Sequence, residues 1–324
     1  MPKCIICNRT FINNTFLETH LHIHTATPFI KWVGGKTQIL SSVLETFPQL
    51  NGKTYYEPFL GGGAVLFGLL ASANKPAHII AADVNETLIY SYINIRDNID
   101  TVISYLGLLK KEFETASENT VDTPNRKPLT LTDAKTCAES YYYWIRQQYN
   151  TLTDYKSPQA SAYFIFLNKT CFRGVYRMGP NGFNVPYGHY NNPAIFNTVE
   201  LRTVSAAIKS VTFLCQPWQT TFAAALSKKK CFIYMDPPYV PETATSFVGY
   251  TADGFSSDEH DKLFTVCKEL IRQNIPFVMS NSDVPLIHST LGKYTTITTI
   301  NCKRSINSKK PDARTNEVLI KYLV

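Results

Sequence analysis

The order of apolar and polar positions along the chain predicts an α/β fold. Short apolar runs predict buried strands at Thr54–Glu57, His78–Ala82, Val211–Cys215, Cys231–Met235 and Ile275–Met279. Most of these runs precede a segment with helical spacing, as at positions 64–72 and 257–273. Strands that alternate with helices form a doubly wound, mostly parallel sheet. Two last β-prone runs, Tyr294–Asn301 and Glu317–Val324, predict an antiparallel hairpin in the C-terminal part of the chain.

This alternation stops in the middle of the chain. Thr115–Thr136 is rich in Thr, Asp, Asn and Pro and predicts a loop, whereas Glu139–Tyr149 and Ala160–Leu167 predict helices. The run Gly179-Pro180-Asn181-Gly182, between two short β-prone runs, is a strong turn signal for a hairpin. We therefore predict that residues 111–204 form an inserted domain within the sheet domain.

The strand Cys231–Met235 ends abruptly at Asp236-Pro237-Pro238-Tyr239. Because proline offers no N–H to a sheet and fixes its own backbone angle, the two prolines hold an acid and an aromatic at the carboxyl end of the strand. Open α/β sheets bind their ligands at that edge. These four residues suit methyl transfer to a planar exocyclic nitrogen. Asp236 and the Pro237 carbonyl would accept both amino hydrogens, and Tyr239 would stack on the ring. The alternative is a strand followed by an ordinary turn.

Three features of the first half suit one cofactor. Lys36, after a Gly-Gly pair, offers a charge for a carboxylate, with a solvated surface lysine as the alternative. The run that contains Phe59, Gly61 and Gly63 is a glycine loop between a strand and a helix, where a ligand can approach the backbone closely. Asp83 closes the next strand and is placed either for a ribose diol or as a helix N-cap. S-adenosylmethionine has a carboxylate, a tail and a ribose, whereas the missing Walker lysine disfavours phosphate.

Arginines, an amide and aromatic side chains interleave along the predicted hairpin. These side chains, with two apolar neighbours, are Phe172, Arg173, Val175, Arg177, Asn184, Pro186 and Tyr190. Arginine reads guanine edges, apolar groups meet the thymine methyl and aromatics stack into gaps, so the pattern suits entry into a DNA groove. The alternative is a folded aromatic mini-core with solvated arginines. A basic stretch that includes Arg304 and Ser305 suits contacts to DNA phosphates, although a charge run is usually a solvated face.

The N-terminal segment has the ligand spacing of a ββα zinc finger, Cys4-x2-Cys7-x12-His20-x3-His24. His20 and His24 are one helical turn apart and so face one ion. A segment of about 25 residues cannot fold on apolar burial alone, so a structural Zn²⁺ ion would supply the folding free energy. Such a finger either adds DNA affinity or binds another protein, and the alternative is an unstructured terminus. The predicted domains are thus the finger at 1–25, the sheet domain at 26–110 and 205–324, and the insert.

Composition adds limits rather than an identity. Hydrophobic residues make up 44% of the 324 positions, which permits a sizeable core and argues against global disorder. The net charge of +7 permits a nucleic-acid partner without establishing one. Six of the eight cysteines are scattered, as in the reduced core of an intracellular protein, cytoplasmic or nuclear. No long apolar span or signal peptide is visible, so we expect neither membrane insertion nor secretion, and we favour a monomer.

Four motifs in this order make the chain similar to the Dam-type N6-adenine DNA methyltransferases from about residue 28 onward. The motifs are Phe29–Lys36, Glu57–Gly63, Ala82–Asn85 and Asp236–Tyr239. The resemblance implies a Rossmann-like methyltransferase sheet that uses S-adenosylmethionine to methylate N6 of a flipped-out adenine in double-stranded DNA. It also implies contacts to the cofactor from Trp32, Lys36, Asp83 and Asp236. By the same resemblance, Asp236 through Tyr239 would hold the target adenine.

The hairpin is similar to the target-recognition hairpin of that family, which commonly methylates GATC. The similarity covers Leu167-Asn168-Lys169, Arg177 and the run Gly182–Tyr190. It implies that Arg177 reads a guanine and that Pro186 meets the thymine methyl, with Val175 as an apolar neighbour. Phe172 and Tyr190 would fill the space that the flipped base leaves. The chain departs from the family pattern at Thr170-Cys171 and at Arg173, and the Arg304-Ser305 stretch resembles the family's Arg-Ser-Ile-Ser loop.

Two other functions fit parts of the pattern. The motif at Asp236 specifies a planar amine and not its polymer, so an RNA N6-adenine methyltransferase is one alternative. A non-catalytic DNA-binding protein with a methyltransferase fold is the other. Intact Lys36, Asp83 and Asp236 argue against a fold that has lost its activity.

Overall fold

The structure, a computed structural model, describes residues 1–3, 10, 12–13, 25–228, 230–241, 255–303 and 314–324. Six predicted site residues lie outside the described residues, namely Cys4, Cys7, His20, His24, Arg304 and Ser305. The chain divides into two compact units. Met1–Trp32 with Glu86–Lys209 forms one, called the helical unit, and Val33–Asn85 with Ser210–Val324 forms the other, called the sheet unit. The domain boundaries predicted from the sequence were drawn from motifs, whereas these two units are defined by compactness, so those domain boundaries remain a prediction.

Nine strands occur in the described parts of the chain. They are β1 (Thr54–Glu57), β2 (His78–Asp83), β3 (Met178–Gly179), β4 (Gly182–Phe183), β5 (Val211–Cys215), β6 (Cys231–Met235), β7 (Phe277–Ser282), β8 (Thr296–Lys303) and β9 (Arg314–Tyr322). All except β3 and β4 belong to the sheet unit.

The α-helices of the described residues are distributed over both units. They are α1 (Leu40–Glu45), α2 (Ala64–Ala71), α3 (Glu86–Asp97), α4 (Ile99–Ser117), α5 (Leu131–Ala134), α6 (Ala138–Asn150), α7 (Pro158–Thr170), α8 (Thr198–Ala207), α9 (Trp218–Leu226), α10 (Ser257–Arg272) and α11 (Pro285–Leu291). Two short 3₁₀ turns occupy Lys36–Ile39 and Phe172–Gly174.

The sheet has the strand order β5-β2-β1-β6-β7-β9-β8. The five strands from β5 to β7 pair in parallel, whereas β9 is antiparallel to both β7 and β8. Parallel strands need crossover connections, and helices provide them here. The predicted α/β class, with a mostly parallel sheet and a C-terminal antiparallel hairpin, is therefore confirmed.

The core of the sheet unit forms around β6 and β7, which are buried along their whole length. Such strands read as continuous apolar runs because both faces of the sheet are covered. Met235 and Phe277 pack in one cluster with Phe222 of α9 and Leu263 of α10. This packing fixes the position at which β6 ends.

The helical unit has an aromatic core of its own. Its helices α3 and α4 pack on α7, and α6 also packs on α7. Fully buried rings include Tyr141, Tyr149, Phe164 and Phe166. The helices that were predicted at Glu139–Tyr149 and Ala160–Leu167 are present as α6 and α7, each slightly longer.

Several predicted segments have other bounds in the structure, including the last two strands, which were expected at Tyr294–Asn301 and Glu317–Val324 and are observed at Thr296–Lys303 and Arg314–Tyr322. The strand predicted at Ile275–Met279 is shifted to Phe277–Ser282, because its polar end pairs with β9 in the sheet, while the side chains of Asn281 and Ser282 form buried hydrogen bonds with Val240. The loop predicted at Thr115–Thr136 contains the end of α4 and the short helix α5. A reciprocal capping box between Thr130 and Asp133 begins that helix.

The six described cysteines are free thiols, and all of them except Cys215 are buried. Among the described residues, no helix has the length and apolar character that a membrane span requires.

Candidate active site

Three acidic side chains lie where parallel strands of the sheet unit end. Glu57 is the last residue of β1, Asp83 is the last of β2, and Asp236 directly follows β6. Because β1 pairs in parallel with both β2 and β6, the three strand ends meet at one edge of the sheet, here called the carboxyl edge. The expected position of Asp83 and Asp236 at this edge is thus observed.

The glycine loop is tied to the end of β2. Gly61 and Gly63 have φ values of 50° and 71°, in the left-handed region that favours glycine. The Leu60 N–H donates to the Ala82 carbonyl at 2.9 Å, and the Gly61 N–H donates to Asp83 Oδ2 at 3.0 Å. The loop therefore presents backbone, without side-chain bulk at Gly61 and Gly63, at the carboxyl edge.

Asp83 has local hydrogen bonds that sequence reasoning treated as alternatives to ligand binding. Its Oδ1 accepts from the Asn85 N–H at 3.0 Å, in the turn that precedes α3. Burial raises the pKa of Asp83, and the backbone N–H groups of Asn85, Gly61 and Val84 oppose that shift. Asp83 is still only half-buried, so its carboxylate both shapes the loop and faces the edge.

Buried Lys36 and half-buried Asp236 form an ion pair. Lys36 Nζ lies 2.8 Å from Asp236 Oδ2 and donates to the Gly34 carbonyl at 2.5 Å. The same ammonium lies 5.0 Å from the centroid of the Tyr239 ring. Burial raises the pKa of Asp236 to about 6, although Lys36 pulls it down. Asp236 is therefore a carboxylate at neutral pH, which a hydrogen-bond acceptor for an amino group must be.

Glu57 is a second carboxyl at this edge with a different protonation state. The Tyr55 hydroxyl donates to Glu57 Oε2 at 2.8 Å, and both side chains are buried. Burial raises the pKa of Glu57 to about 8, with a further rise from Asp236 and an opposing effect of Tyr55. Two neighbouring carboxyls whose pKa values differ in this way carry different roles. Glu57 holds a proton at neutral pH, and Asp236 carries the negative charge.

The segment that follows Asp236 is anchored by residues that sequence reasoning missed. The Val240 N–H donates to Asn281 Oδ1 at 2.9 Å, and Ser282 Oγ donates to the Val240 carbonyl at 2.6 Å. The Tyr239 hydroxyl donates to Glu317 Oε2 at 2.8 Å. The available signal was polar side chains at the ends of predicted strands: Asn281 and Ser282 follow the run Ile275–Met279, and Glu317 begins the run Glu317–Val324.

An aromatic cluster lies beside the glycine loop in the sheet unit. The Phe59 ring is 6.2 Å from the Trp218 ring and 6.3 Å from the Phe255 ring. Trp218 is buried, and its Nε1–H donates to Glu259 Oε2 at 3.2 Å. Buried His260 lies 4.7 Å from the Phe255 ring, ring centroid to centroid. The loop thus has an apolar wall suited to a flat ring.

In the helical unit, β3 and β4 pair through the predicted turn at residues 179–182. Every second residue from Phe183 to Tyr187 is buried, whereas Asn184 and Pro186 are exposed. This alternation separates a face that packs on the unit from a face that is free to meet another molecule. The aromatic mini-core and the exposed polar face therefore coexist in one hairpin.

Side chains of helix α6 bind the backbone of the hairpin. The Asn150 side chain accepts from the Phe183 N–H at 2.8 Å and donates to the Phe183 carbonyl at 3.0 Å. The Tyr142 hydroxyl and Arg146 Nη1 donate to the Val185 carbonyl at 2.7 and 3.2 Å. None of these three side chains on α6 was predicted as part of the site.

The predicted DNA-reading side chains occupy different environments. Arg177 is exposed, and its Nε donates to Asn184 Oδ1 at 2.6 Å, so the structure brings these two candidates together. Phe172 and Arg173 are also exposed, and Arg173 has a φ of 56°. Tyr190 is half-buried under Lys31, whose Nζ lies 4.1 Å from the ring centroid.

Two further candidates of the helical unit are half-buried. The Trp32 ring stacks on Tyr176 with 5.9 Å between the ring centroids and 24° between the planes. Val175 is also half-buried. Among the residues that the structure describes, no group of three or more His, Cys, Asp or Glu side chains could hold a metal ion. The predicted zinc ligands are not among those residues.

Comparison with known proteins gives consistent matches. A family model for D12 class N6 adenine-specific DNA methyltransferase matches residues 32–306. The Type II methyltransferase M.MjaIII of Methanocaldococcus jannaschii is 37% identical over 289 residues, which cover 87% of this chain and 93% of that protein. The retron Ec67 DNA adenine methylase of Escherichia coli is 31% identical and covers 90% of this chain and 89% of its own. The DNA adenine methylase of Haemophilus influenzae is 32% identical over 79% of both chains.

Proposed function

The chain belongs to the D12 class of N6 adenine-specific DNA methyltransferases, and from that membership we propose its reaction and substrate site. It transfers the methyl group of S-adenosylmethionine to N6 of an adenine flipped out of duplex DNA, within the sequence GATC. The observation that carries the proposal is the carboxylate of Asp236, held by Lys36 at the carboxyl edge and followed by two prolines and Tyr239.

The residues at the carboxyl edge of the sheet unit fit S-adenosylmethionine. The loop through Gly61 and Gly63 offers backbone without side-chain bulk, Asp83 offers a half-buried carboxylate for a ribose diol, and Phe59 belongs to an aromatic wall for the adenine ring. Lys36 offers a cation for the amino-acid carboxylate. When bound there, S-adenosylmethionine supplies an electrophilic methyl group on sulfur. Trp32 is a further candidate contact, on the family resemblance alone.

The residues after β6 would prepare the adenine amino group for attack. The lone pair of N6 is delocalised into the ring, so the amino group must be reoriented before it can act as a nucleophile. Asp236 and the Pro237 carbonyl accept its two hydrogens, and Tyr239 stacks on the base. Lys36 keeps Asp236 ionised, since a protonated Asp236 would donate one of these bonds instead of accepting it. The rate gain comes from orientation and prearranged acceptors.

The exposed face of the hairpin would read the DNA sequence. Arg177 is the candidate for a guanine edge and Pro186 for the thymine methyl, with Asn184 holding the Arg177 side chain in place. Phe172, being 48% exposed, is available to fill the gap that a flipped base leaves. Direct contacts of this kind specify sequence, whereas Arg304 and Ser305 would contact phosphate and position the duplex.

The proposed zinc finger, like Arg304 and Ser305, lies outside the described residues. Cys4, Cys7, His20 and His24 would bind one structural Zn²⁺ ion, on the strength of their spacing. The finger would then either add DNA affinity or bind a protein partner. The proposed state of the enzyme is a monomer.

The test uses S-adenosylmethionine labelled in its methyl group and two duplexes that differ only by GATC against GTTC. We expect the wild-type protein to label the GATC duplex alone. Asp236→Ala should abolish labelling, because the amino group loses its main acceptor, while DNA binding measured by fluorescence anisotropy persists. Wild-type activity in Asp236→Ala would overturn the mechanism, and equal labelling of both duplexes would overturn the GATC assignment.

An adenine-containing RNA, added as a competitor, distinguishes the proposed DNA methyltransferase from the main alternative, an RNA N6-adenine methyltransferase. For a DNA enzyme we expect unlabelled GATC duplex, but not RNA of the same sequence, to suppress labelling. If RNA is labelled instead, the chemistry stands and the substrate changes.

A further inference from the structure

Glu317 lies at the carboxyl edge although it belongs to the last strand of the sheet in chain order. Strand β9 is antiparallel to β7, so its first residues lie beside the last residues of β7, with Glu317 opposite Ser282. On the other side of β9, Glu317 pairs with Ile300 of β8. The antiparallel strand thus brings a carboxylate to the edge at which β6 ends in Asp236.

Glu317 contacts Tyr239, one of the residues proposed to hold the adenine. Its Oε2 accepts the hydrogen bond of the Tyr239 hydroxyl at 2.8 Å. The face of the same ring lies 5.0 Å from Lys36 Nζ, and that ammonium binds Asp236. Glu317 therefore holds one end of a chain of contacts that runs through Tyr239 and Lys36 to Asp236.

The ring of Tyr239 needs such a contact because its backbone alone does not set its plane. Asn281 and Ser282 fix the next residue, Val240, by two backbone hydrogen bonds. The side chain still has two rotatable torsions, and the second is broad for an aromatic ring. The hydroxyl oxygen lies on the axis of the second torsion, so the hydrogen bond to Glu317 fixes the first torsion directly. It also restrains the second torsion, because a phenolic O–H stays close to the plane of its ring. Stacking and methyl transfer both depend on the angle at which the base is held.

We propose that Glu317 is a positioning residue, which holds the Tyr239 ring by its hydroxyl in the orientation that stacks on the target adenine. The inference rests on the proposed function, since it takes Tyr239 as the stacking partner. Glu317 acts through Tyr239 and is not itself a catalytic residue. A purely structural role for β9, or a direct effect of the Glu317 charge on Asp236, predicts a different mutational pattern.

The test is a double-mutant cycle on methyl transfer in a single turnover, with saturating S-adenosylmethionine and GATC duplex. We expect Glu317→Ala to lower the rate constant about tenfold, since small misplacements at a reacting centre are costly. The dissociation constant for S-adenosylmethionine should stay within about twofold of wild type. Glu317→Gln keeps an acceptor oxygen and should return the rate to within about threefold of wild type. Lys321→Ala, at the other end of β9, is the matched control and keeps the wild-type rate.

The Tyr239→Phe background identifies the route by which Glu317 acts. That variant has no hydroxyl, so Glu317→Ala should cause no further loss in it. An equal loss in the wild-type and Tyr239→Phe backgrounds would overturn the proposal and favour a direct electrostatic effect on Asp236. A wild-type rate for Glu317→Ala would overturn it as well.

The four proteins of this cycle are then unfolded with urea in the absence of substrate. We expect non-additive shifts of the midpoints, because the two side chains share one hydrogen bond. Additive midpoints would overturn the bond itself, whether or not the enzyme is active. If the wild-type protein transfers no methyl group to any adenine duplex, the proposed function fails, and the unfolding cycle still decides the contact between Tyr239 and Glu317.

Discussion

Single side chains at the carboxyl edge acquire their chemistry from their surroundings rather than from their type. Glu57 and Asp236 are both carboxylic acids at the ends of adjacent strands, and burial raises the pKa of each. Lys36 lowers the pKa of Asp236 again, and the Tyr55 hydroxyl lowers that of Glu57, yet the pKa of Glu57 still rises to about 8 and that of Asp236 to about 6. The edge therefore keeps one charged acceptor and one protonated neighbour, which limits the repulsion between them.

The protonated state of Glu57 makes folding stability depend on pH. Its pKa rises from an ordinary value of 4.5 to about 8 in the folded chain, so folding takes up a proton between these values. The contribution of Glu57 to the free energy of unfolding is fully present below its pKa in the unfolded chain. This contribution is lost as pH rises through its pKa in the folded chain. We expect Glu57→Gln to be more stable than wild type at pH 9 by an amount on the order of a few kcal/mol, and to lose that advantage at pH 5.

Urea unfolding at the two pH values measures this difference. Glu45→Gln, the same change at an exposed position of α1, serves as control and should show no such dependence. A difference between Glu57→Gln and wild type that is equal at pH 5 and pH 9 would contradict the assignment.

The residues of the site divide into those that sequence could reveal and those that it could not. Lys36, Asp83 and Asp236 stand in local motifs, and the structure places Asp83 and Asp236 at the predicted edge. Asn281 and Glu317 could not be found in the same way. Their partners are 41 and 78 residues away along the chain, and the contacts depend on strand order and register. Their position at the ends of predicted strands was the one local sign.

Helix α6 and the hairpin illustrate how one element determines the geometry of another. The hairpin strands β3 and β4 have two residues each, too few to be stable alone. The Asn150 amide replaces a strand neighbour by bonding both the N–H and the carbonyl of Phe183. The exposed side chains on the hairpin are thus presented by a rigid support.

Loss of that support should reduce DNA discrimination before it affects the chemistry. We expect Asn150→Ala to lower the ratio of kcat/KM for GATC over GTTC duplex about tenfold, because two backbone bonds of the hairpin are lost. Binding of S-adenosylmethionine, measured by calorimetry, should not change. Asn150→Asp keeps the acceptor for the Phe183 N–H, so its ratio of kcat/KM should lie between those of the wild type and Asn150→Ala. An unchanged ratio in a folded Asn150→Ala variant would remove the hairpin from sequence reading.

The elements themselves were largely predictable, and the misses have physical causes. Strands β1, β5 and β6 agree with their predicted bounds, since continuous apolar runs end at strong breakers. The shift of β7 to Phe277–Ser282 involves buried hydrogen bonds with distant residues, which the pattern of apolar positions along the sequence cannot reveal. The short helix α5 rests on a capping box within a polar segment that composition assigned to a loop.

The chain combines a family region with an N-terminal segment that the family match does not cover, since the match begins at residue 32. The positive net charge of +7 favours association with DNA and makes its affinity fall with salt. Phe29 packs on Tyr92 at 5.0 Å between ring centroids, so the region that supports the fold begins before the matched region.

Removal of residues 1–25 should abolish zinc binding and leave methyl transfer largely intact. We expect the shortened protein to methylate GATC duplex with a kcat within about threefold of the full chain, because the described site residues all follow residue 25. Zinc measured by mass spectrometry should be near one ion per full chain and absent from the shortened one. Cys7→Ser in the full chain is the matched control for loss of metal. Zinc retained by the shortened protein, or a folded but inactive one, would contradict this division.

The position of β9 between β7 and β8 has a consequence for protein synthesis. Asp236 and Tyr239 leave the ribosome well before Glu317, which follows Tyr239 by 78 residues, and domains begin to fold as they emerge. Until β9 emerges, β8 has no neighbour in the sheet and β7 has an open edge. Translation that stops before residue 314 therefore leaves two unpaired strand edges. We expect such a nascent chain to be prone to pairing with other chains through these edges.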